Sequence, residues 1–208
     1  RRSNAWEATR QEVFAVREAV GINEVQNFGK FRVTGPRARA WLDRIMAGAI
    51  PQKGRLSLTP MLSPKGKIIG DFTVTCLSET EFQITGSYGA QDQHLRWFQK
   101  NHEDGVSVEN VSDRITGFQI AGPNARKLLE RVTRADVSAE AFKFMDARQI
   151  TIGMVDCLVQ RVSYTGDLGY EIYTDFMNQR ALWHALWTAG QDLGIRPFGM
   201  RAMMSLRL

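Results

Sequence analysis

Residues 31–45 read Phe-Arg-Val-Thr-Gly-Pro-Arg-Ala-Arg-Ala-Trp-Leu-Asp-Arg-Ile, and residues 118–132 read Phe-Gln-Ile-Ala-Gly-Pro-Asn-Ala-Arg-Lys-Leu-Leu-Glu-Arg-Val. The offset, 118 against 31, is 87 throughout. Each copy is a short alternating strand, a Gly-Pro pair and a helical pattern with apolar residues at i, i+3, i+4 and i+7. These are Ala38, Trp41, Leu42 and Ile45 in one, Ala125, Leu128, Leu129 and Val132 in the other. Proline in the first helical turn loses no hydrogen bond, so Gly-Pro marks a strand-to-helix corner in both. A repeat of this length predicts two related halves in one chain.

The text around each copy matches in kind. Strand-like runs at 68–77 and 81–86 follow the first, then a helix near 91–101. Runs at 150–163 and 169–174 follow the second, then a helix near 178–189. Phe82-Gln-Ile-Thr stands opposite Tyr170-Glu-Ile-Tyr at an offset of 88, 170 against 82. Each half thus reads β-α-β-β-α with a closing strand at 106–111, the ferredoxin-like order, and the fold class is α+β with two ferredoxin-like halves. An N-terminal helix precedes them, with Asn4 and Glu7 as a capping pair, Val13, Val16 and Val20 on its apolar side and Gly21 as its stop. The expected organisation is residues 1–22 as a helix packed on the body, 23–111 as the first half and 112–208 as the second.

Composition is that of an ordinary folded chain: 208 residues, 43% apolar and 24% charged, enough to bury a core without disulfides. The +5 net charge comes from Lys and Arg scattered over helix faces, among them Arg37, Arg44, Arg126 and Arg131. No basic stripe with interleaved aromatics offers itself to nucleic acid. Cys76 and Cys157 sit in apolar strand-like runs away from each other and from histidine, which predicts two buried reduced thiols and a reducing compartment. No 18-residue apolar run or export signal is present. Gly-x-Gly and phosphate-loop patterns are missing, so this chain has no usual FAD or ATP site. His94, His102 and His184 are isolated, and no metal site is expected.

The polar information concentrates in residues 161–174, Arg-Val-Ser-Tyr-Thr-Gly-Asp-Leu-Gly-Tyr-Glu-Ile-Tyr-Thr. Glu171 stands between Tyr170, Ile172 and Tyr173 where the first copy has the neutral Gln83. Alternation puts it on one face with Tyr173, away from Tyr170 and Ile172. Either that face is solvated, the default for a strand glutamate, or the carboxylate is aimed at a ligand. Asp71 is a second oddity: it opens the run Gly-Asp-Phe-Thr-Val after the turn Ser63-Pro-Lys-Gly, where an aspartate can simply terminate pairing at a strand end. Arg201 lies inside the apolar run 198–208, where an arginine calls for an anion.

At these residues the chain resembles the folate-binding aminomethyltransferase family, which includes the glycine cleavage T-protein, and within it the folate domains of dimethylglycine and sarcosine dehydrogenases. Tyr164-Thr-Gly-Asp-Leu-Gly-Tyr-Glu-Ile-Tyr and Arg201-Ala-Met-Met-Ser-Leu-Arg-Leu carry the resemblance, with Gly66-Lys-Ile-Ile-Gly-Asp-Phe-Thr-Val and Leu58-Thr-Pro-Met-Leu in support. The resemblance implies a folate-binding domain that holds tetrahydrofolate. Glu171 matches the glutamate that grips the pterin and Tyr164 an aromatic in contact with folate. Arg201 matches an arginine at the folate's acidic end, and Asp71 the catalytic aspartate near folate N5 and N10. Asp167 stands where T-proteins usually carry glutamate, and Gly70-Asp71 where they carry an acidic pair. The resemblance further implies a piece of a larger polypeptide, without an upstream FAD domain and a C-terminal domain.

The expected function is one-carbon transfer to tetrahydrofolate, giving 5,10-methylenetetrahydrofolate from dimethylglycine, sarcosine or a related methylamine. A stand-alone aminomethyltransferase or folate-dependent demethylase is the alternative enzyme, and a non-catalytic folate-binding scaffold the alternative from another class. Expected partners are folate, the amine and other domains of the parent chain, with no nucleic acid or membrane. The expected location is the cytoplasm, or the mitochondrial matrix in a eukaryote.

Overall fold

Both Gly-Pro corners turn a strand into a helix, and the glycine is needed at each. Gly35 has φ +129° and Gly122 φ +132°. A Cβ at Gly35 would lie 2.1 Å from the Gly105 carbonyl oxygen, and one at Gly122 2.5 Å from that of Val16. Only a residue without a side chain allows both the backbone angle and the close approach.

The computed structural model describes residues 3–208. Helix α1 (Trp6–Glu18) starts at Ala5, which makes no side-chain cap bond, so Asn4 is not its cap. Gly21 does not stop α1 either. The chain leaves the helix at Ala19 (φ −138°, ψ −111°), and Val20 and Gly21 open strand β1 (Val20–Glu24). The chain divides into two compact units: Gln26–Ile115 with residues 145–147, and the described residues up to Val25 with Thr116–Phe144 and Arg148–Leu208. The N-terminal segment therefore gives the second unit a strand as well as a helix.

The first unit contains β2 (Phe28–Thr34), α2 (Ala38–Ile45), β3 (Leu56–Leu62), β4 (Ile68–Ser78), β5 (Glu81–Ser87), α3 (Gln91–Lys100) and β6 (Ser107–Asn110). Its sheet has the order β3-β4-β5-β2-β6. Sequence reading missed β3, because Pro60 stands in its middle. As an edge strand, β3 pairs with β4 on one side and on the other carries only the bridge from Met46 to Met61; there the Pro60 carbonyl accepts from the Ala47 N–H at 2.9 Å, and the missing proline donor is tolerated. Phe31, Trp41, Leu42, Phe72, Phe82 and Phe98 form the core between sheet and helices, with Phe98 set edge-on to Phe31 at 5.2 Å.

The second unit contains β7 (Ile115–Ala121), α4 (Ala125–Val132), β8 (Ala147–Ile152), β9 (Val155–Gln160), β10 (Gly169–Asp175), α5 (Gln179–Gly190), β11 (Ile195–Pro197) and α6 (Met200–Leu206). The run expected at 150–163 is a hairpin, β8-β9, turning at Gly153 with φ +59°. The sheet order β11-β1-β7-β10-β9-β8 repeats that of the first unit with β1 in the place of β6. Strand β11 pairs parallel with β1 on its outer side. Phe118, Ile120, Leu128, Leu129, Ile172, Leu182 and Leu186 fill the core beneath α4 and α5. Each half is β-α-β-β-β-α-β, one strand longer than the order read from the sequence. No helix among the described residues is long and apolar enough to cross a membrane.

Candidate functional site

Strand β10 rules out the solvated reading of Glu171. Tyr170 and Ile172 point into the core under the helices, and Glu171 shares the opposite face with Tyr173, whose hydroxyl donates to Glu171 Oε2 at 2.7 Å. That face is not solvated: Glu171 is 7% exposed and Tyr173 2%. The sheet register extends this face sideways. Gln160 on β9 pairs with Glu171, and Asn23 on β1 pairs with Gln119 on β7.

Gln119 donates to Asn23 Oδ1 at 3.2 Å and to Met203 Sδ at 3.0 Å. Asn23 in turn donates to the Phe198 carbonyl, and the Gln119 carbonyl oxygen is buried without a hydrogen-bond partner. An acceptor in that state costs free energy unless a donor reaches it. The sheet thus presents a row of polar side chains on the face away from its helices, of which Glu171, Gln119 and Gln160 are buried. Sequence reading singled out Glu171 and missed Gln119, Gln160 and Asn23. Their signal was a polar residue at alternate positions of otherwise apolar strands, as in Gly117-Phe-Gln-Ile-Ala.

Tyr164 and Arg201 lie beside α6. Tyr164 packs against the cluster of Val16, Ala121, Phe198, Ala202, Met203 and Leu206, and the Arg207 guanidinium sits 4.0 Å over its ring. Arg201 departs from expectation. The run 198–208 is amphipathic rather than wholly core: Ala202, Met203 and Leu206 face inward, and Arg201 is exposed on the first turn of α6. It therefore needs no structural anion. Asp167, 14% exposed on its side chain, is held by Arg17 at 2.6 Å.

In the first unit, Asp71 lies within β4, opposite Pro60 of β3, with its side chain exposed. It does not open the strand, which begins three residues earlier. The preceding Gly70 is closely packed. A Cβ there would fall 2.6 Å from the Phe72 ring and 2.7 Å from His94 Nε2. His94 is buried against Phe72, ring centroids 4.7 Å apart, and burial holds its imidazole below the usual value, against a weaker pull from the Ile69 backbone. A side chain at Gly70 would require Phe72 and His94 to shift, and Asp71 is the carboxylate at this place. Lys30, on β2, was also missed; it is fully buried and its ammonium donates to the Phe28 carbonyl at 2.9 Å. Among the described residues no group of three or more His, Cys, Asp and Glu could hold a metal ion.

The two-sheet α+β architecture with a duplicated half is that of aminomethyltransferase-type folds. The GCVT N-terminal domain family matches residues 1–208, and the chain belongs to it. Human mitochondrial dimethylglycine dehydrogenase is 35% identical over 211 residues, covering 100% of this chain and 24% of that protein. An aminomethyltransferase from Halothermothrix orenii is 33% identical over 200 residues, covering 95% of this chain and 56% of the relative. The chain therefore spans about a quarter to a little over half the length of such relatives. Among solved structures, the glycine cleavage system aminomethyltransferase T of Bartonella henselae superposes on 96% of this chain and 53% of its own, with a TM-score of 0.82 at 22% identity. The heterotetrameric sarcosine oxidase of Corynebacterium sp. U-96 gives a TM-score of 0.68 at 19% identity. At these identities both attest the fold.

Proposed function

We propose that this chain binds tetrahydrofolate and serves, within a longer enzyme, as the domain that forms 5,10-methylenetetrahydrofolate with a one-carbon unit from dimethylglycine, sarcosine or a related methylamine. The observation that carries the reading is the buried carboxylate of Glu171 on the polar face of the second sheet. A reduced pterin presents a row of N–H donors along its 2-aminopyrimidinone edge, and a carboxylate offers two acceptors to such a row. The Tyr173 hydroxyl fixes the orientation of that carboxylate, and the unpartnered Gln119 oxygen supplies a further acceptor, so the residues present fit the group.

Tetrahydrofolate supplies the two nitrogens that carry the one-carbon unit. The rest falls to the chain. Tyr164 offers an aromatic surface, and the exposed guanidinium of Arg201 suits a carboxylate at the solvent end of a long ligand. Asp71 holds a fixed negative charge, which stabilises positive charge developing on the one-carbon unit. Oxidation of the amine by FAD belongs to another domain of the parent chain. The relation to dimethylglycine dehydrogenase and the glycine at position 70, where the resemblance places an acid in T-proteins, favour this reading over a T-protein acting in glycine cleavage. The two buried free thiols suit a reducing compartment, the cytoplasm or the mitochondrial matrix.

Titration calorimetry with 5-formyltetrahydrofolate tests the reading. Heat of binding is expected for the folded chain, and Glu171→Gln should lose about 1 to 3 kcal/mol of affinity, because an acceptor becomes a donor facing donors. Glu140→Gln, at an exposed position, should lose none. No heat at millimolar ligand from a demonstrably folded sample refutes the proposal.

A further inference from the structure

At the end of the second unit's sheet, on its helix side, a groove of about 460 Å³ opens between β1, β7 and α5. Its walls carry the rings of Phe118, Phe176 and Trp183 together with Met177, and its two charged groups are Glu24 and Arg180. Phe118 belongs to the core beneath the helices, whereas its neighbour Gln119 lies on the Glu171 face, so the groove is separate from the folate site proposed above. Phe118 and Trp183 meet at 5.4 Å. Trp187 stacks on Trp183 at 5.1 Å, with 11° between the planes, and holds the indole in place. Glu24 accepts a hydrogen bond from Gln179 at 3.0 Å. Neither Glu24 nor Arg180 makes an ion pair among the described residues.

The other half of the duplication shows what is particular about these groups. In the first unit Asn110 pairs with Phe31 and bonds Gln91 at 3.1 Å. In the second, Glu24 pairs with Phe118 and bonds Gln179. The framework is the same, but the groups upon it differ. At an offset of 88, Asp92 becomes Arg180 and Leu95 becomes Trp183, and a neutral amide on the neighbouring strand becomes the carboxylate of Glu24. The second copy has gained an indole, an anion and a cation at one place.

Aromatic rings beside a carboxylate favour a methylated ammonium, which is attracted to the ring faces and has few N–H bonds to lose on leaving water. A guanidinium beside them favours a carboxylate. We propose that this groove binds small zwitterions that join a methylated ammonium to a carboxylate, the ammonium against Trp183, Phe176 and Glu24 and the carboxylate at Arg180, over the buried floor that Phe118 provides. This inference stands on the lining of the groove and not on the folate reading.

The test is a titration of the 208-residue chain without folate, followed by the indole N–H resonance of Trp183, which is assigned from its loss in Trp183→Phe. Dimethylglycine and trimethylglycine should shift that resonance in a saturable way. The isostere 3,3-dimethylbutanoate, which keeps the carboxylate but lacks the ammonium charge, and the carboxylate-free tetramethylammonium should each bind about fivefold or more weaker, as should dimethylglycine to Glu24→Gln and Arg180→Gln. Both variants alter exposed side chains and leave the core intact. No shift up to about 100 mM ligand, equal binding of 3,3-dimethylbutanoate, or unchanged affinity in both variants would overturn the proposal. Because folate binding is measured separately by calorimetry, the failure of one reading is distinguishable from that of the other.

Discussion

Asp71 is a residue whose burial decides how it can act. A carboxylate exposed on β4 contributes little to stability through its charge, since water already solvates it. If it opposes charge that develops only in the transition state, removing it affects the rate more than the binding. Asp71→Asn in the active full-length enzyme is expected to lower methylenetetrahydrofolate formation roughly 100-fold to 1000-fold, with folate affinity nearly unchanged and flavin reduction by the amine intact. Product formation at the normal rate would make Asp71 a strand residue and no more.

At the scale of the element, the two strand-to-helix corners carry the duplication. Gly122 combines φ +132° with the close approach of the Val16 carbonyl, so a methyl group there meets both backbone strain and overlap. Gly122→Ala should cost about 3 kcal/mol. Gly66, also left-handed at φ +69° but in open space, provides the comparison: Gly66→Ala should cost only about 1 kcal/mol. Urea denaturation midpoints check both, and equal losses would show that overlap at the corner does not matter. Edge strand β3 teaches a second lesson about elements. Its proline is harmless because the strand lies at the sheet's edge, flanked on its outer side only by the short bridge from Met46 to Met61, and that edge position is a property of the sheet, not of the peptide.

For the whole molecule, the two thiols report on both units at once. Cys76 lies in the first core and Cys157 in the second. Burial pushes the Cys157 thiol up to about 12. It also raises that of Cys76, against the pull of the Arg39 guanidinium. In both, the folded thiol keeps its proton at a pH where the unfolded thiol, near 9, has lost it. The unfolded chain then binds fewer protons, so this contribution to stability is complete below about pH 9 and falls as pH rises toward 12. Urea midpoints should therefore drop between about pH 9 and pH 11, and Cys157→Val should drop less. A native chain that reacts with a thiol reagent as fast as the unfolded one would contradict the burial of both.

What the sequence determined by itself was whatever depends on neighbours along the chain. The Gly-Pro corners, the helix periodicities and the alternation that sets Glu171 beside Tyr173 and against Tyr170 all follow from local geometry and the two periods of 3.6 and 2. The duplication was legible because both copies obey the same local rules. Tertiary structure decided what depends on residues distant in sequence. It placed β1 in the sheet of the second half, since strand pairing is set by hydrogen bonds between segments nearly a hundred positions apart, as between Ile22 and Ile120. It left Arg201 in water, because a helix buries one stripe and exposes the rest. Finally, it assembled Glu171, Gln119, Gln160 and Asn23 into one row of polar groups. Each is an isolated polar residue in its own strand, and only the lateral register of four strands makes neighbours of them.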